Sequence, residues 1–172
     1  TLAYSFRLKR MVLLDVLVLA SLYTLRMMAG GAAVSVPLSF WLLAFSVFLF
    51  LSLALVKRYT ELLPLCKRSQ THVAGRGYQA ADLETLAQFG ITSGYMAVLV
   101  LALYVNSEAV KVLYAHPQII WLICPLGLYL VSRIWLLARR GALHEDPVVF
   151  AIQDRQSQLL VVLGALLLWV AM

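Results

Sequence analysis

Long apolar segments alternate with three short, polar and basic stretches along this chain, and that alternation limits the folds open to it. About twenty apolar residues are needed for a helix to cross roughly 30 Å of hydrocarbon, and several segments reach that length. The composition agrees, because 63% of the 172 residues are hydrophobic and only 13% are charged. The sequence therefore predicts an all-α, polytopic membrane helical bundle that forms a single integral membrane domain over residues 1–172.

Hydropathy and helix-breaking residues predict five transmembrane helices. The pair Gly30 and Gly31 should end the first helix, because glycine disfavours helix continuation. Pro37 suits the first turn of the second helix, and Pro125 should kink the fourth. Residues 81–89 repeat apolar side chains every three positions, which predicts a short amphipathic helix on the membrane surface. The five predicted helices cover residues 11–30, 37–56, 89–105, 117–138 and 157–172.

The three polar stretches, residues 4–10, 57–86 and 139–155, lie on one side of the membrane if the helices cross it in turn. Cytoplasmic loops of membrane proteins collect Lys and Arg, so this side is predicted to be cytoplasmic. The membrane is expected to be the inner (plasma) membrane. The same bias explains the net charge of +6 without nucleic acid, which is not an expected partner. Eleven of the 14 cations fall on this side: Arg7, Lys9, Arg10, Lys57, Arg58, Lys67, Arg68, Arg76, Arg139, Arg140 and Arg155.

Two charged residues, Asp15 and Arg26, fall inside the first predicted helix. A charge at the centre of a span costs about 2.5–3.5 kcal/mol on insertion scales, so it usually marks a face that is buried in protein or lines a cavity. Their spacing corresponds to about three helical turns, which predicts that both point the same way. For Arg26 we favour a structural polar contact to another helix or snorkelling to the far interface. For Asp15 a structural and a functional role both stay open.

A polar cluster, Lys57, Arg58, Tyr59 and Glu61, follows the second predicted helix. Lys57 and Glu61 are spaced i, i+4 and would share a helical face. Taken alone, the cluster is typical of a topology anchor with a weak surface ion pair. No Asp-x-x-x-Asp pair occurs in the chain, so the sequence does not show a complete magnesium site. A second cluster on the same side consists of Tyr4, Lys9 and Arg10.

The run Tyr4-Ser5-x-x-Leu8-Lys9-Arg10 resembles the Tyr-(Pro/Ser)-x-x-Lys-Arg element of the UbiA superfamily of intramembrane prenyltransferases. The remaining similarity is greatest to the decaprenyl-phosphate phosphoribosyltransferase branch, and it covers nearly the whole chain. This resemblance implies helices five to nine of a nine-helix fold, so we expect the chain to be the C-terminal half of a longer protein. The stretches that resemble this branch are Asp15 with Leu25-Arg26 and Ala29-Gly30, the run Lys57-Arg58-Tyr59-Thr60-Glu61-Leu62, and Asp146-Pro147 through Asp154-Arg155.

The resemblance implies a cavity that opens to the cytoplasm and to membrane lipid, where a polyprenyl phosphate or prenyl diphosphate meets Mg²⁺ and a diphosphate-bearing cosubstrate. In the superfamily two Asp-rich motifs hold the metal, and the first would precede Thr1. The second is replaced here by Lys57-Arg58-Tyr59-x-Glu61, which fits a branch whose donor is phosphoribosyl pyrophosphate.

The implied site residues have the following roles. Lys9, Arg10, Lys57 and Arg58 are expected to contact phosphate, and Tyr4 and Tyr59 to hydrogen-bond phosphate or sugar oxygens. The candidate catalytic residues are Asp15, which would orient a cation, and Glu61, which would contact metal or ribose.

Three functions stay open from the sequence. The first is Mg²⁺-dependent phosphoribosyl transfer to a polyprenyl phosphate, and the second is prenyl transfer from a prenyl diphosphate to an aromatic or other small acceptor. The third is a non-enzymatic membrane subunit or transporter bundle, whose basic loops only set topology. Composition and charge alone favour the third, whereas the resemblance favours an enzyme and places the first above the second.

Overall fold

The computed structural model describes residues 11–35, 39–67, 77–107, 110, 114, 116–143 and 147–171. The α-helices within these residues are α1 Leu14–Ala33, α2 Phe40–Lys67, α3 Leu83–Val105, α4 Pro117–Ile120, α5 Ile123–Arg140, α6 Pro147–Gln153 and α7 Arg155–Ala171. A 3-10 turn, Ala80–Asp82, leads directly into α3.

The expected all-α, polytopic membrane fold is confirmed. Four segments in the described part of the chain are long and apolar enough to cross a membrane, namely Leu14–Ala33, Phe40–Cys66, Ala80–Val105 and Gln118–Arg140. The fifth predicted span corresponds to α7, which is apolar but has only 17 residues. Large apolar side chains on α7 are exposed, including Leu159, Val162 and Trp169, and in a membrane protein such a surface suits contact with lipid or with other helices.

Helix α2 continues well past its predicted end at Val56 and carries the polar cluster with it, up to Lys67. The prediction of a loop from residue 57 onward is therefore wrong for its first part. Hydropathy marks where a segment leaves the hydrocarbon, whereas a helix ends only where capping or backbone geometry stops it. The apolar side chain of Leu62 is 1% exposed and anchors this extension to the core.

The predicted surface helix at residues 81–89 is instead the beginning of the membrane helix α3. Leu86 is 2% exposed and packs in the core, whereas Phe89 is 48% exposed, so the two side chains do not share a face. A spacing of three residues falls about 60° short of a full helical turn, and a run of such steps drifts around the helix. That drift separates Leu86 from Phe89 and rules out the predicted apolar face.

The fourth predicted helix is interrupted before Pro125. Helix α4 ends at Ile120, two turn residues follow, and α5 begins at Ile123. Pro125 consequently lies in the first turn of α5, where its missing N–H removes no intrahelical bond. The far end of α5 is capped by Gly141, whose φ of 71° is the left-handed conformation that glycine adopts readily.

Helix α2 is the centre of the bundle and contacts α1, α3, α5 and α6. Helix α3 approaches α2 and α5 closely because Gly90 and Gly94 present no side chain at the crossing. The ring of Trp135 lies over Gly90, and its Nε1 donates to Ser52 Oγ at 3.1 Å. Ser52 in turn donates to the Gly90 carbonyl at 2.7 Å, so one hydrogen-bonded chain joins α5, α2 and α3.

Replacement of Gly90 by Ala should destabilise the protein, because the new Cβ would overlap the Trp135 ring. Overpacking of this kind typically costs about 1–3 kcal/mol. The matched control is Gly164→Ala, since a Cβ there meets nothing within 4 Å. Thermal unfolding in detergent should show a lowered midpoint for Gly90→Ala only, and equal midpoints for the two variants would contradict this packing.

Candidate functional site

Asp15 lies in the first turn of α1, and its side chain is fully buried. Its Oδ1 accepts hydrogen bonds from the backbone N–H of Val16 at 2.8 Å and from the hydroxyl of Tyr78 at 2.5 Å. The helix dipole favours a carboxylate at this end of a helix. Burial of the charge nevertheless requires a partner of opposite sign, and that partner is Arg58.

The Arg58 guanidinium joins three elements of the structure while its side chain stays only 2% exposed. Its Nη2 lies 2.6 Å from Oδ2 of Asp15 on α1, and its Nη1 donates to Glu61 one turn further along α2. Its Cζ lies 5.6 Å from the centroid of the Tyr78 ring, close enough for a cation–π contact. One positive charge is therefore opposed by two carboxylates inside the protein.

The contact between Arg58 and Asp15 is an ion pair by distance without the alignment of a hydrogen bond. Asp15 Oδ2 and Arg58 Nε are buried and have no hydrogen-bond partner among the residues described, although Nη2 approaches Oδ2 to 2.6 Å. The two observations are compatible, because hydrogen bonds need both distance and angle. The two side chains still attract each other strongly at this distance, since the attraction between two buried charges depends mainly on their separation.

Tyr78 completes the network, and sequence reasoning missed it. Its side chain is 0% exposed, its hydroxyl donates to Asp15, and the same hydroxyl accepts the backbone N–H of Leu13 at 2.9 Å. Burial first, and then the hydrogen bond to Asp15, raise the pKa of Tyr78 well above its usual value of 10, so the hydroxyl keeps its proton. A tyrosine between two membrane helices carries no pattern that would have marked it.

The other residues of the predicted polar cluster differ in burial. Lys57 is half-buried, and the Glu61 side chain is 34% exposed. Tyr59 is only 4% exposed, and its ring packs edge-on against Trp135 with centroids 5.8 Å apart. The structure thus places Tyr59 in the apolar core, away from the position expected for direct contact with a substrate.

An exposed ion pair ties the neighbouring helix ends together. Arg139 at the end of α5 donates to both carboxylate oxygens of Glu84 at the start of α3, at 2.8 and 2.7 Å. On α2, the ring of Tyr59 packs against Trp135, which lies one turn before Arg139 on α5. The start of α1, the polar end of α2, the start of α3 and the end of α5 therefore meet at one end of the bundle, here called the mouth.

The structure does not bring every predicted site residue to the mouth. Tyr4, Lys9 and Arg10 lie outside the described residues. Arg26 is exposed and stacks on the ring of Tyr23, with its Cζ 5.3 Å from the ring centroid. The prediction that Asp15 and Arg26 share one buried face is therefore wrong for Arg26, and its contact with Tyr23 is made within α1 and not with another helix.

The described residues do not by themselves fit a magnesium site. In the part of the chain that the structure covers, no group of three His, Cys, Asp or Glu side chains comes together. Glu61, the predicted metal ligand, shares its carboxylate with Arg58, and Asp15 is fully buried beside the same cation. Any magnesium ligands beyond Glu61 would have to come from substrate or from residues outside the described ranges.

A further ion pair lies where α5 meets the connection between α6 and α7. Arg133 donates to Asp154 Oδ2 at 2.5 Å and to Oδ1 at 3.1 Å. Asp154 also accepts the backbone N–H of Ser157 at 2.8 Å and so caps the beginning of α7. The hydrogen bond from Arg133 is the main reason that the pKa of Asp154 falls to about 2.

The fold and the mouth together define a polytopic α-helical membrane protein with a buried ion network at one end of its bundle. The chain is 42% identical over 160 residues to the uncharacterized protein y4nM of Sinorhizobium fredii, a match that covers 91% of this chain and 31% of that protein. It is 36% identical over 151 residues to the nodulation protein NoeC of Azorhizobium caulinodans, with coverage of 88% and 49%. The chain thus spans about a third to a half of these relatives.

A shorter match connects the chain to an enzyme. Over 61 residues, or 36% of this chain and 19% of the relative, it is 44% identical to the decaprenyl-phosphate phosphoribosyltransferase of Mycolicibacterium smegmatis. The same enzyme of Mycobacterium tuberculosis is 43% identical over 61 residues. These matches support a UbiA-like region in the chain. No family model matches it.

The Asp15→Asn variant should be markedly less stable than the parent, because it leaves the Arg58 guanidinium buried with only Glu61 as a carboxylate partner. Breaking a buried pair typically costs about 3–5 kcal/mol. The control is Glu84→Gln, which breaks the exposed pair with Arg139 and should cost about 1 kcal/mol or less. Denaturant titration in detergent measures both, and similar losses in the two variants would show that Asp15 does not hold a buried charge.

Acid should weaken the Arg133–Asp154 pair in a defined pH range. The pKa of Asp154 is about 2 in the folded protein and 3.8 when unperturbed, so its stabilisation is complete above about pH 4 and is lost as the pH falls towards 2. Asp154→Asn should flatten the dependence of the unfolding midpoint on pH in that range. An unchanged profile in this variant would mean that Asp154 is not paired in the folded protein.

Proposed function

We propose that this chain forms part of a membrane-embedded transferase that acts on a polyprenyl phosphate at the mouth of the bundle. The favoured reaction is phosphoribosyl transfer from phosphoribosyl pyrophosphate. The observation that carries the proposal is the meeting of polar groups from α1, α2, α3 and α5 at one end of an otherwise apolar bundle. The similarity of about a third of the chain to decaprenyl-phosphate phosphoribosyltransferases supports the chemistry that we propose for the mouth.

The proposed reaction is a displacement at the anomeric carbon of ribose. An oxygen of the lipid phosphate forms the new bond to that carbon, and the bond from carbon to the diphosphate oxygen breaks. Diphosphate leaves with the electron pair of the broken bond. Positioned cations that stabilise the charge on the leaving group would supply much of the rate, and no protein nucleophile is required.

We divide the predicted roles among the site residues by their burial and charge. Lys57, half-buried at the mouth, is the proposed phosphate contact of α2, together with Lys9 and Arg10 from the segment before α1. Glu61 is the proposed contact to a ribose hydroxyl, and it is the network carboxylate with the larger exposure. Arg58 is less suited to bind phosphate directly, because its side chain is 2% exposed and two carboxylates already oppose its charge.

Donor identity separates the proposed reaction from prenyl transfer. Membranes that contain the full-length protein are incubated with magnesium, polyprenyl phosphate and phosphoribosyl pyrophosphate labelled in the ribose. The proposal expects a labelled lipid, which disappears when a chelator removes magnesium. If label enters lipid only from a prenyl diphosphate with a small aromatic acceptor, the phosphoribosyl assignment is wrong and the alternative reaction is supported.

Charge removal at the mouth should abolish turnover in this assay. Lys57→Ala should reduce product formation by at least about a hundredfold while the protein still inserts and unfolds at the parental temperature, since an electrostatic contact of this kind is worth about 2.7–4 kcal/mol. Arg58→Ala should lose both turnover and stability. The control is Arg26→Ala, an exposed cation further along α1 that should keep full activity. Parental turnover in both Lys57→Ala and Arg58→Ala would refute the proposed site.

A further inference from the structure

The buried network at the mouth has one member that solvent reaches to a substantial extent. The Glu61 side chain is 34% exposed, whereas Arg58 is 2% exposed and both Asp15 and Tyr78 are 0% exposed. A substrate can therefore meet Glu61 without rearrangement of the bundle. The three buried members do not offer a comparable exposed surface, so their effect on the position of that substrate would pass through Glu61.

The contacts form a continuous path between separate parts of the chain. The N–H of Leu13 donates to Tyr78, the hydroxyl of Tyr78 donates to Asp15, and Asp15 is paired with Arg58. Arg58 then donates to Glu61. The path thus runs from the segment before α3 to the start of α1 and on to the polar end of α2.

We propose that Tyr78 and Asp15 are positioning residues, which fix Arg58 and through it the Glu61 carboxylate at the mouth. The proposal rests on the proposed function only where it assigns a substrate contact to Glu61. A substitution at Tyr78 interrupts the path with the smallest change to the protein. Phenylalanine keeps the ring under the Arg58 guanidinium and removes only the hydroxyl that joins Leu13 to Asp15.

Backbone geometry at the start of α1 shows why the hydroxyl matters. Leu13 has a φ of 64°, a conformation that a branched side chain adopts at a cost of order 1–3 kcal/mol and that surrounding contacts must hold in place. Its N–H donates to Tyr78, and its carbonyl accepts from Leu17 at 3.1 Å. Without the Tyr78 hydroxyl, the first turn of α1 loses a tether and Asp15 loses a hydrogen bond. Arg58 is then free to shift, and Glu61 shifts with it.

The first experiment measures amide hydrogen exchange in the full-length protein in detergent. Tyr78→Phe should speed exchange in peptides that cover the start of α1 by about tenfold or more, because one hydrogen bond to the Leu13 amide is gone. The matched control is Tyr95→Phe on the exposed face of α3, which removes a hydroxyl that lies 2.9 Å from Ser132 Oγ on α5. Unchanged exchange at the start of α1 in Tyr78→Phe would overturn the proposal.

The second experiment asks whether Tyr78 acts through Glu61. Tyr78→Phe should lower kcat by roughly ten- to a hundredfold, the scale of a small misplacement of a reacting group, with little change in KM for the lipid. In a Glu61→Gln background the same substitution should have almost no further effect on kcat, because the group that it positions is already gone. Tyr95→Phe should leave kcat at the parental value in both backgrounds. An equal loss of kcat from Tyr78→Phe in both backgrounds would overturn the proposal.

The two experiments separate failure of this inference from failure of the proposed function. If the parent shows no transferase activity, the proposed function fails, and the positioning path is then judged by a double-mutant cycle of unfolding with Tyr78→Phe and Glu61→Gln. Destabilisation that is clearly non-additive supports the path, since residues in one network couple. Additive destabilisation overturns it.

Discussion

The buried guanidinium of Arg58 is the constraint on which the mouth depends. A charge removed from water in an apolar bundle is expensive unless carboxylates and hydrogen bonds compensate it. Asp15 and Glu61 supply opposite charge, and Tyr78 supplies both an aromatic face for Arg58 and a hydroxyl for Asp15. These contacts to Arg58 fix the relative positions of α1, α2 and the segment that leads into α3.

Close packing of α2, α3 and α5 holds the mouth of the bundle in place. Gly90 lets the Trp135 ring lie against α3, and Ser52 links the Trp135 indole to the Gly90 carbonyl. The chain of hydrogen bonds holds α2, α3 and α5 together, while the exposed Arg139–Glu84 pair joins the ends of α5 and α3. A site built on such rigid helices can hold charged groups at fixed positions, which electrostatic stabilisation of a leaving diphosphate would require.

The sequence predicts the membrane fold well because apolar length alone determines it. Helix ends are predicted less well: α1 continues through the Gly30-Gly31 pair to Ala33, and α2 continues as far as Lys67 through charged residues that hydropathy assigns to a loop. Charge within a span singles out Asp15 as unusual, and the expectation that Asp15 orients a cation rests on the family resemblance. Tyr78 could not be found, because its role arises only when the folded chain places residues 63 positions apart in contact.

The coupling between Asp15 and Arg58 tests the central claim most directly. A double-mutant cycle with Asp15→Asn and Arg58→Gln, followed by denaturant unfolding of the full-length protein in detergent, isolates the interaction between these two side chains. The account predicts a coupling free energy within the range of about 0.5–3 kcal/mol seen for residues in contact, and near its upper end because both side chains are buried. A coupling near zero would show that the two charges do not meet, and the mouth as described here would not exist.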